Sequence, residues 1–227
     1  SYESVGKECI AVRERVGLLD LTCFAKYEIE GRDAENFLKR ICANHIPKRE
    51  GGVALVHMLT ELGGIECEST ITRIDENKYY ALSGAIAEIH DYDWLVQHIL
   101  PDEKVSVRNV TDEYGVLVLS GPRSRDLLSK LTDADLSNAD FPWLKGKTIY
   151  VSGIKTLALR VSYVGELGWE LHIPMQNVAE LYETLMDKGS KFGISNFGTY
   201  AMNSLRMEKA YKGWGSELTT EITPIEA

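Results

Sequence analysis

Gly115-Val116-Leu117-Val118-Leu119-Ser120-Gly121 is an apolar run closed by glycine, and Pro122 follows at a position suited to a helix first turn. Leu127, Leu128 and Leu131 then fall on one helical face. The same succession stands ninety residues earlier. Lys26-Tyr27-Glu28-Ile29-Glu30-Gly31 alternates like a half-buried strand, and Ala34, Phe37, Leu38 and Ile41 form the stripe after it. Gly31/Gly121, Phe37/Leu127, Leu38/Leu128 and Ile41/Leu131 share the offset. So do the later parts: a strand at Lys78–Leu82 with a helix from about Ile86 to Leu100, and a strand at Gly168–Ile173 with a helix from about Gln176 to Lys188. Further strands are expected at Ile65–Ile74 and Thr148–Ser162. Chance similarity of amphipathic stretches is the alternative, but duplication accounts for four coincident offsets at once. The pattern predicts an α+β chain of two pseudo-repeated units with mainly antiparallel sheets and flanking helices, 1–100 and 101–227.

A helix is expected from Asn196 to Lys212, with Tyr200, Leu205, Met207 and Ala210 among its buried positions and Gly213 as its cap. Trp214–Ala227 has no periodicity and no evident packing partner, which suggests a piece of a longer chain.

Composition prunes the functions. Apolar residues make up 44% and charged residues 26% of the 227, a globular balance. No apolar window is long enough for a membrane helix, and the charged first twenty residues are not a signal peptide. The net charge of −9 comes without any basic stripe, so no nucleic-acid partner is expected. Cys9, Cys23, Cys42 and Cys67 lack CxxC spacing and read as reduced, mostly buried thiols. GxGxxG, GxxxxGK[ST] and GxSxG are all missing, and the five histidines match no metal-binding spacing. His90 and His98 read as surface or edge residues.

Carboxylates remain. In Leu62-Gly63-Gly64-Ile65-Glu66-Cys67-Glu68, paired glycines precede a strand whose Glu66 and Glu68 share a face. This suits either a solvated hairpin or a place that a backbone or a ligand can approach closely. In Arg160–Leu171, a hairpin with Gly165 and Gly168 at its tip places Glu170 between Trp169 and Leu171, on the face of His172. A carboxylate inside an apolar strand needs a partner: an arginine or lysine, or a ligand presenting two parallel N–H donors.

These segments carry a resemblance. Gly63-Gly64-Ile65, Tyr163-Val164-Gly165-Glu166-Leu167-Gly168-Trp169-Glu170, Asn203-Ser204-Leu205-Arg206-Met207-Glu208-Lys209 and Thr223-Pro224-Ile225-Glu226-Ala227 resemble the tetrahydrofolate-dependent aminomethyltransferases, the glycine cleavage T-protein family. Asn44-His45-Ile46-Pro47-Lys48, Asn109–Glu113 and Asn196–Asn203 are most similar to the folate-binding part of dimethylglycine and sarcosine dehydrogenases. The similarity runs over essentially the whole chain.

The resemblance implies two related halves around a central folate site, with a small β-barrel expected beyond Ala227 and a flavin domain (FAD) expected upstream, both outside this sequence. Glu68 matches the family's catalytic aspartate, one methylene longer, and would orient a small amine-derived substrate and stabilise an iminium-like cation. Glu170 matches the glutamate that accepts hydrogen bonds from the pterin 2-amino group and N3–H. Tyr80, Leu82 and Tyr163 match folate-contacting residues. The family's ligand-contacting arginine one turn before Ser-Leu-Arg is Met202 here, and an inward-facing Arg206 is the possible substitute. The implied activity is transfer of a one-carbon unit to give methylenetetrahydrofolate, with no metal, in a bacterial cytoplasm or a mitochondrial matrix. A non-catalytic regulatory or assembly module and a glycine cleavage T-protein are the alternatives.

Overall fold

The computed structural model describes residues 1–227. In chain order the elements are α1 (Tyr2–Glu14), β1 (Val16–Asp20), β2 (Ala25–Glu30), α2 (Ala34–Ile41), β3 (Val53–Leu59), β4 (Ile65–Arg73), β5 (Lys78–Ser83), α3 (Glu88–Gln97) and β6 (Ser106–Asn109). There follow β7 (Tyr114–Ser120), α4 (Ser124–Leu128), β8 (Gly146–Val151), β9 (Ile154–Leu159), β10 (Gly168–Pro174), α5 (Val178–Gly189), β11 (Ile194–Asn196) and α6 (Thr199–Glu208). No helix is long and apolar enough to cross a membrane.

The chain forms two compact units, and neither is continuous in sequence. One comprises Ser1–Cys23 with Asp112–Tyr211, the other Phe24–Thr111 with Lys212–Ala227. The partition differs from the expected division between 100 and 101 because β1 and β6 are exchanged. β1 precedes β2 in the chain but pairs antiparallel with β7; β6 precedes β7 but pairs antiparallel with β2. The side-chain caps repeat with the exchange. Thr22 Oγ1 accepts from Val116 N at 3.2 Å in one unit, and Thr111 Oγ1 accepts from Lys26 N at 3.1 Å in the other.

The unit built from Phe24–Thr111 and Lys212–Ala227 has a five-stranded sheet ordered β3-β4-β5-β2-β6, all antiparallel. Odd-numbered residues of its inner strands, Tyr27, Ile29, Cys67, Ile71, Tyr79 and Ala81, pack against Phe37 and Leu38 of α2 and Leu95 of α3. Each fully buried side chain of that size contributes roughly 1.5–3 kcal/mol of hydrophobic stabilisation. The other unit has the order β11-β1-β7-β10-β9-β8, with β1–β11 its one parallel pair. There Leu117, Leu119, Trp169, Leu171 and Ile173 face Leu127 and Leu128 of α4 and Leu181 and Leu185 of α5. On β5 and β10, whose odd positions face the helices, the even positions Tyr80, Leu82, Glu170 and His172 point the other way, as a period of two requires.

The repeat extends to backbone that only glycine adopts freely. Gly31 has φ of 145° and Gly121 has φ of 123°. A Cβ on either would collide with a backbone carbonyl oxygen, that of Lys104 at 2.0 Å and that of Arg15 at 2.5 Å. Each glycine turns its chain from a strand into the following helix within its own unit.

Three local expectations are corrected. α6 spans only Thr199–Glu208, because Ala210, at φ of 57°, takes the chain out of the helix; Tyr200 is 83% exposed and Met207 is exposed too, while Ala201, Leu205 and Arg206 are buried. The strand before the Tyr-Val-Gly-Glu turn stops at Leu159, leaving Arg160–Leu167 as a loop in place of a tight hairpin. Trp214–Ala227 does have a packing partner. Ile65 N donates to the carbonyls of Thr219 and Ile222, Trp214 Nε1 donates to Glu66 O at 3.0 Å, and Leu218 is buried. All four cysteines are free; Cys42 and Cys67 are buried, Cys9 is half-buried and Cys23 is exposed.

Candidate functional site

β10 is an inner strand, and it places Glu170 opposite Val118 of β7 and Leu159 of β9. Two apolar neighbours therefore flank a carboxylate whose side chain is only 13% exposed. Its Oε2 is buried and has no hydrogen-bond partner. The sole ionisable group in reach is His172, on the same face, with Nε2 at 3.4 Å and a side chain 1% exposed. No arginine or lysine pairs with it, so the lysine or arginine bridge that the sequence left open is not formed. A carboxylate held this way is costly to keep without donors. It suits a ligand edge that brings N–H groups to it.

Tyr163 lies in the loop after β9, over a third exposed, its ring stacked on Tyr211 with centroids 6.3 Å apart and planes 18° from parallel. This loop is held by Arg13 of α1, a residue that no sequence signal singled out. Its Nη1 donates to Val164 O at 2.6 Å and to Glu166 Oε1 at 2.9 Å, and its Nη2 donates to Glu208 Oε2 at 2.7 Å. One guanidinium thus ties α1, the loop and α6 together. A shallow cleft lined by Trp143, Arg160, Glu166 and Gly168 runs along the loop, and neither Glu170 nor Tyr163 lines it. Arg206 does face inward: it is buried, with Nε on Asn203 Oδ1 at 2.9 Å and Nη1 on Tyr211 O at 2.8 Å. It positions the residue on which Tyr163 stacks.

In the other unit, Tyr80 and Leu82 are buried on β5, opposite Thr72 and Thr70 of β4 and Glu28 and Lys26 of β2. Glu68 of β4 stands directly across from His57 of β3. Glu68 Oε2 and His57 Nε2 are 2.9 Å apart, with side chains 19% and 21% exposed. Glu66 is occupied differently. Its Oε1 accepts from His90 Nε2 at 2.8 Å, and His90 Nδ1 meets Asp91 Oδ1 at 2.9 Å. Burial opposes a charge on His90, but the two carboxylates outweigh it and raise its pKa above the ordinary imidazole value. Cys67 Sγ lies in the same cluster, within 4.8 Å of the His90 and Asp91 ligand atoms, and burial pushes its thiol well up. Both ring nitrogens of His90 are engaged by carboxylates, an arrangement that favours the protonated ring.

Gly63 and Gly64 explain how the C-terminal segment reaches this place. Gly63 turns the chain at φ of 85°, and a Cβ on Gly64 would stand 1.8 Å from Thr220 O. The paired glycines admit another stretch of the same chain, at the point where the sequence left room for a backbone or a ligand. His57 and His90 were missed because each meets its carboxylate across strands or from a helix, at separations no local motif records.

The chain belongs to the GCVT N-terminal domain family, whose model matches residues 1–227. It is 42% identical over 227 residues to mitochondrial dimethylglycine dehydrogenase of Rattus norvegicus, covering all of this chain and 26% of that protein. It is 33% identical over 230 residues to the mitochondrial pyruvate dehydrogenase phosphatase regulatory subunit of Mus musculus, covering 99% of this chain and 26% of that one. The chain thus spans about a quarter of the length of these curated relatives. Among solved structures, the glycine cleavage system aminomethyltransferase T from Bartonella henselae matches with a TM-score of 0.85 at 25% identity, over 97% of this chain and 58% of that one. The chain is an aminomethyltransferase-like domain related to the dimethylglycine dehydrogenases.

Proposed function

We propose that this domain binds tetrahydrofolate and promotes transfer of a one-carbon unit to it from an amine-derived donor, within a longer protein of the dimethylglycine dehydrogenase kind. One observation carries the reading: the buried Glu170 Oε2 without a partner, on a strand face with no arginine or lysine bonded to it. A pterin edge offers a 2-amino group and a ring N–H side by side, which is the donor pair this carboxylate lacks. The residues present therefore fit the ligand. Tyr163, in the same unit as Glu170, supplies a half-exposed ring for the remainder of the molecule. Tetrahydrofolate, when bound, supplies the nucleophilic nitrogen that receives the carbon.

The protein's contribution is position and charge. Glu68 carries a negative group on a half-buried sheet face, where it favours a cationic carbon donor more than it would in water. Holding donor and acceptor together removes most of the entropy cost of their encounter. Oxidation of the amine would belong to a flavin-bearing part outside residues 1–227. Titrating the chain with 5-formyltetrahydrofolate, followed by tryptophan fluorescence, tests the reading. Saturable binding that p-aminobenzoylglutamate, which lacks the pterin, does not reproduce is expected. Equal response to both compounds, or to neither, would contradict it.

The likeness to a regulatory subunit favours a second reading, binding without turnover. Turnover separates the two: if folate binds but the protein gives no one-carbon transfer above the uncatalysed rate, the second reading holds.

A further inference from the structure

We infer that His57 is a positioning residue for Glu68, holding the carboxylate in the one orientation in which it faces the cationic donor; this rests on the transferase reading of Glu68. The geometry is specific. The two residues are directly opposed on neighbouring antiparallel strands, and their side chains meet on the face away from the helices. Glu68 makes no other hydrogen bond, so His57 alone determines which of its oxygens is engaged and which is left free. Glutamate has one more rotatable bond than aspartate, and a second contact is what removes that freedom.

His57 is itself fixed. Asn44, in the Asn-His-Ile-Pro-Lys stretch, accepts from His57 N at 3.1 Å through Oδ1 and donates from Nδ2 to Leu55 O at 2.8 Å. Ala43 N donates to His57 O at 2.8 Å. The stretch before β3 therefore clamps the strand on both sides of the histidine. That gives a physical role to a motif that no contact with a ligand accounts for. The neighbouring Glu66 cannot substitute, since it is bonded to His90.

Two measurements on the full chain test this. In the ligand-free protein, nitrogen NMR of the imidazole rings is expected to show the His57 Nε2 signal moving in Glu68→Gln and His90 unchanged. In turnover with tetrahydrofolate and formaldehyde, His57→Ala is expected to lower kcat about tenfold or more, with KM for the folate within about twofold. His57→Gln, which keeps an N–H donor near the Nε2 position, is expected to recover most of the loss. His57→Ala in a Glu68→Gln background is expected to add nothing. Full activity of His57→Ala beside a crippled Glu68→Gln overturns the positioning role and leaves the transferase reading intact. Full activity of Glu68→Gln overturns both. Loss in His57→Ala that raises KM, follows a lowered melting temperature and is not recovered by His57→Gln marks a structural role only and likewise overturns it.

Discussion

Glu170 and Tyr80 occupy the same place in the two repeats, ninety residues apart, each on an inner strand and on the face turned away from its helices. Their cross-strand neighbours show what duplication left behind and what it changed. Tyr80 faces Glu28 and Thr72, whereas Glu170 faces Val118 and Leu159. The carboxylate stands on the neighbouring strand in one unit and on the strand itself in the other, where Glu170 Oε2 has no hydrogen-bond partner and only His172 comes within ion-pair distance. A position kept in that state opposes folding, which is what the proposed role of Glu170 in holding a ligand would account for.

The first prediction follows from this cost. Glu170→Leu, which matches the apolar neighbours, is expected to stabilise the ligand-free chain by about 1–2 kcal/mol. The measurement is a thermal melt, with a midpoint raised by a few degrees. A lowered midpoint would mean that Glu170 already has the partners it needs.

The second concerns the C-terminal segment. Gly64→Ala places a methyl group against Thr220 O, where the gap is 1.8 Å, so the backbone around Thr219–Ile222 must give way. Overpacking against backbone costs on the order of 1–3 kcal/mol. Faster proteolytic cleavage within 212–227 and a red-shifted Trp214 emission are expected, since its contacts with Glu66 O and the His90 ring are lost together.

The third is a pH dependence with a definite sign. His90 has a raised folded pKa, so it binds its proton more tightly in the native state than when unfolded. The stabilisation it contributes is fully present below the unfolded imidazole value of about 6.5 and is lost as pH rises through the higher folded value. Glu66, Asp91 and Cys67 are the titratable groups facing it, and burial raises the Cys67 thiol, which keeps that group neutral over this range. The urea midpoint of wild type should therefore exceed that of His90→Gln by more at about pH 6 than at about pH 9. A constant gap would mean that the imidazole is neutral throughout.

Much of this architecture was legible in the residues and part of it was not, for physical reasons. The offset shared by Gly31 and Gly121 reports a steric requirement met twice, so it survived in the sequence and led to the repeat. The exchange of β1 and β6 did not show, because each of these short strands carries no sign of which neighbour it joins; the strand pairings reveal it, and the hydrogen bonds of Thr22 and Thr111 repeat with it. The length of α6 was overestimated because a left-handed Ala210 has no sequence signature. In the site, Glu170 and His172 could be placed on one face by alternation alone. His57, His90 and Arg13 could not, since each meets its partner through tertiary pairing. The Gly63–Gly64 turn was recognised as a place of close approach, and the occupant proved to be the chain's own tail.

The central claim is that Glu170 is the acceptor for the pterin edge. Isothermal titration of 5-formyltetrahydrofolate into wild type and Glu170→Ala measures this most directly, with the melting temperature of each ligand-free chain recorded alongside. Loss of two charge-assisted hydrogen bonds predicts an affinity weaker by about tenfold to a few hundredfold in Glu170→Ala, from a chain that is folded and at least as stable. Equal affinity of the two proteins would contradict the claim.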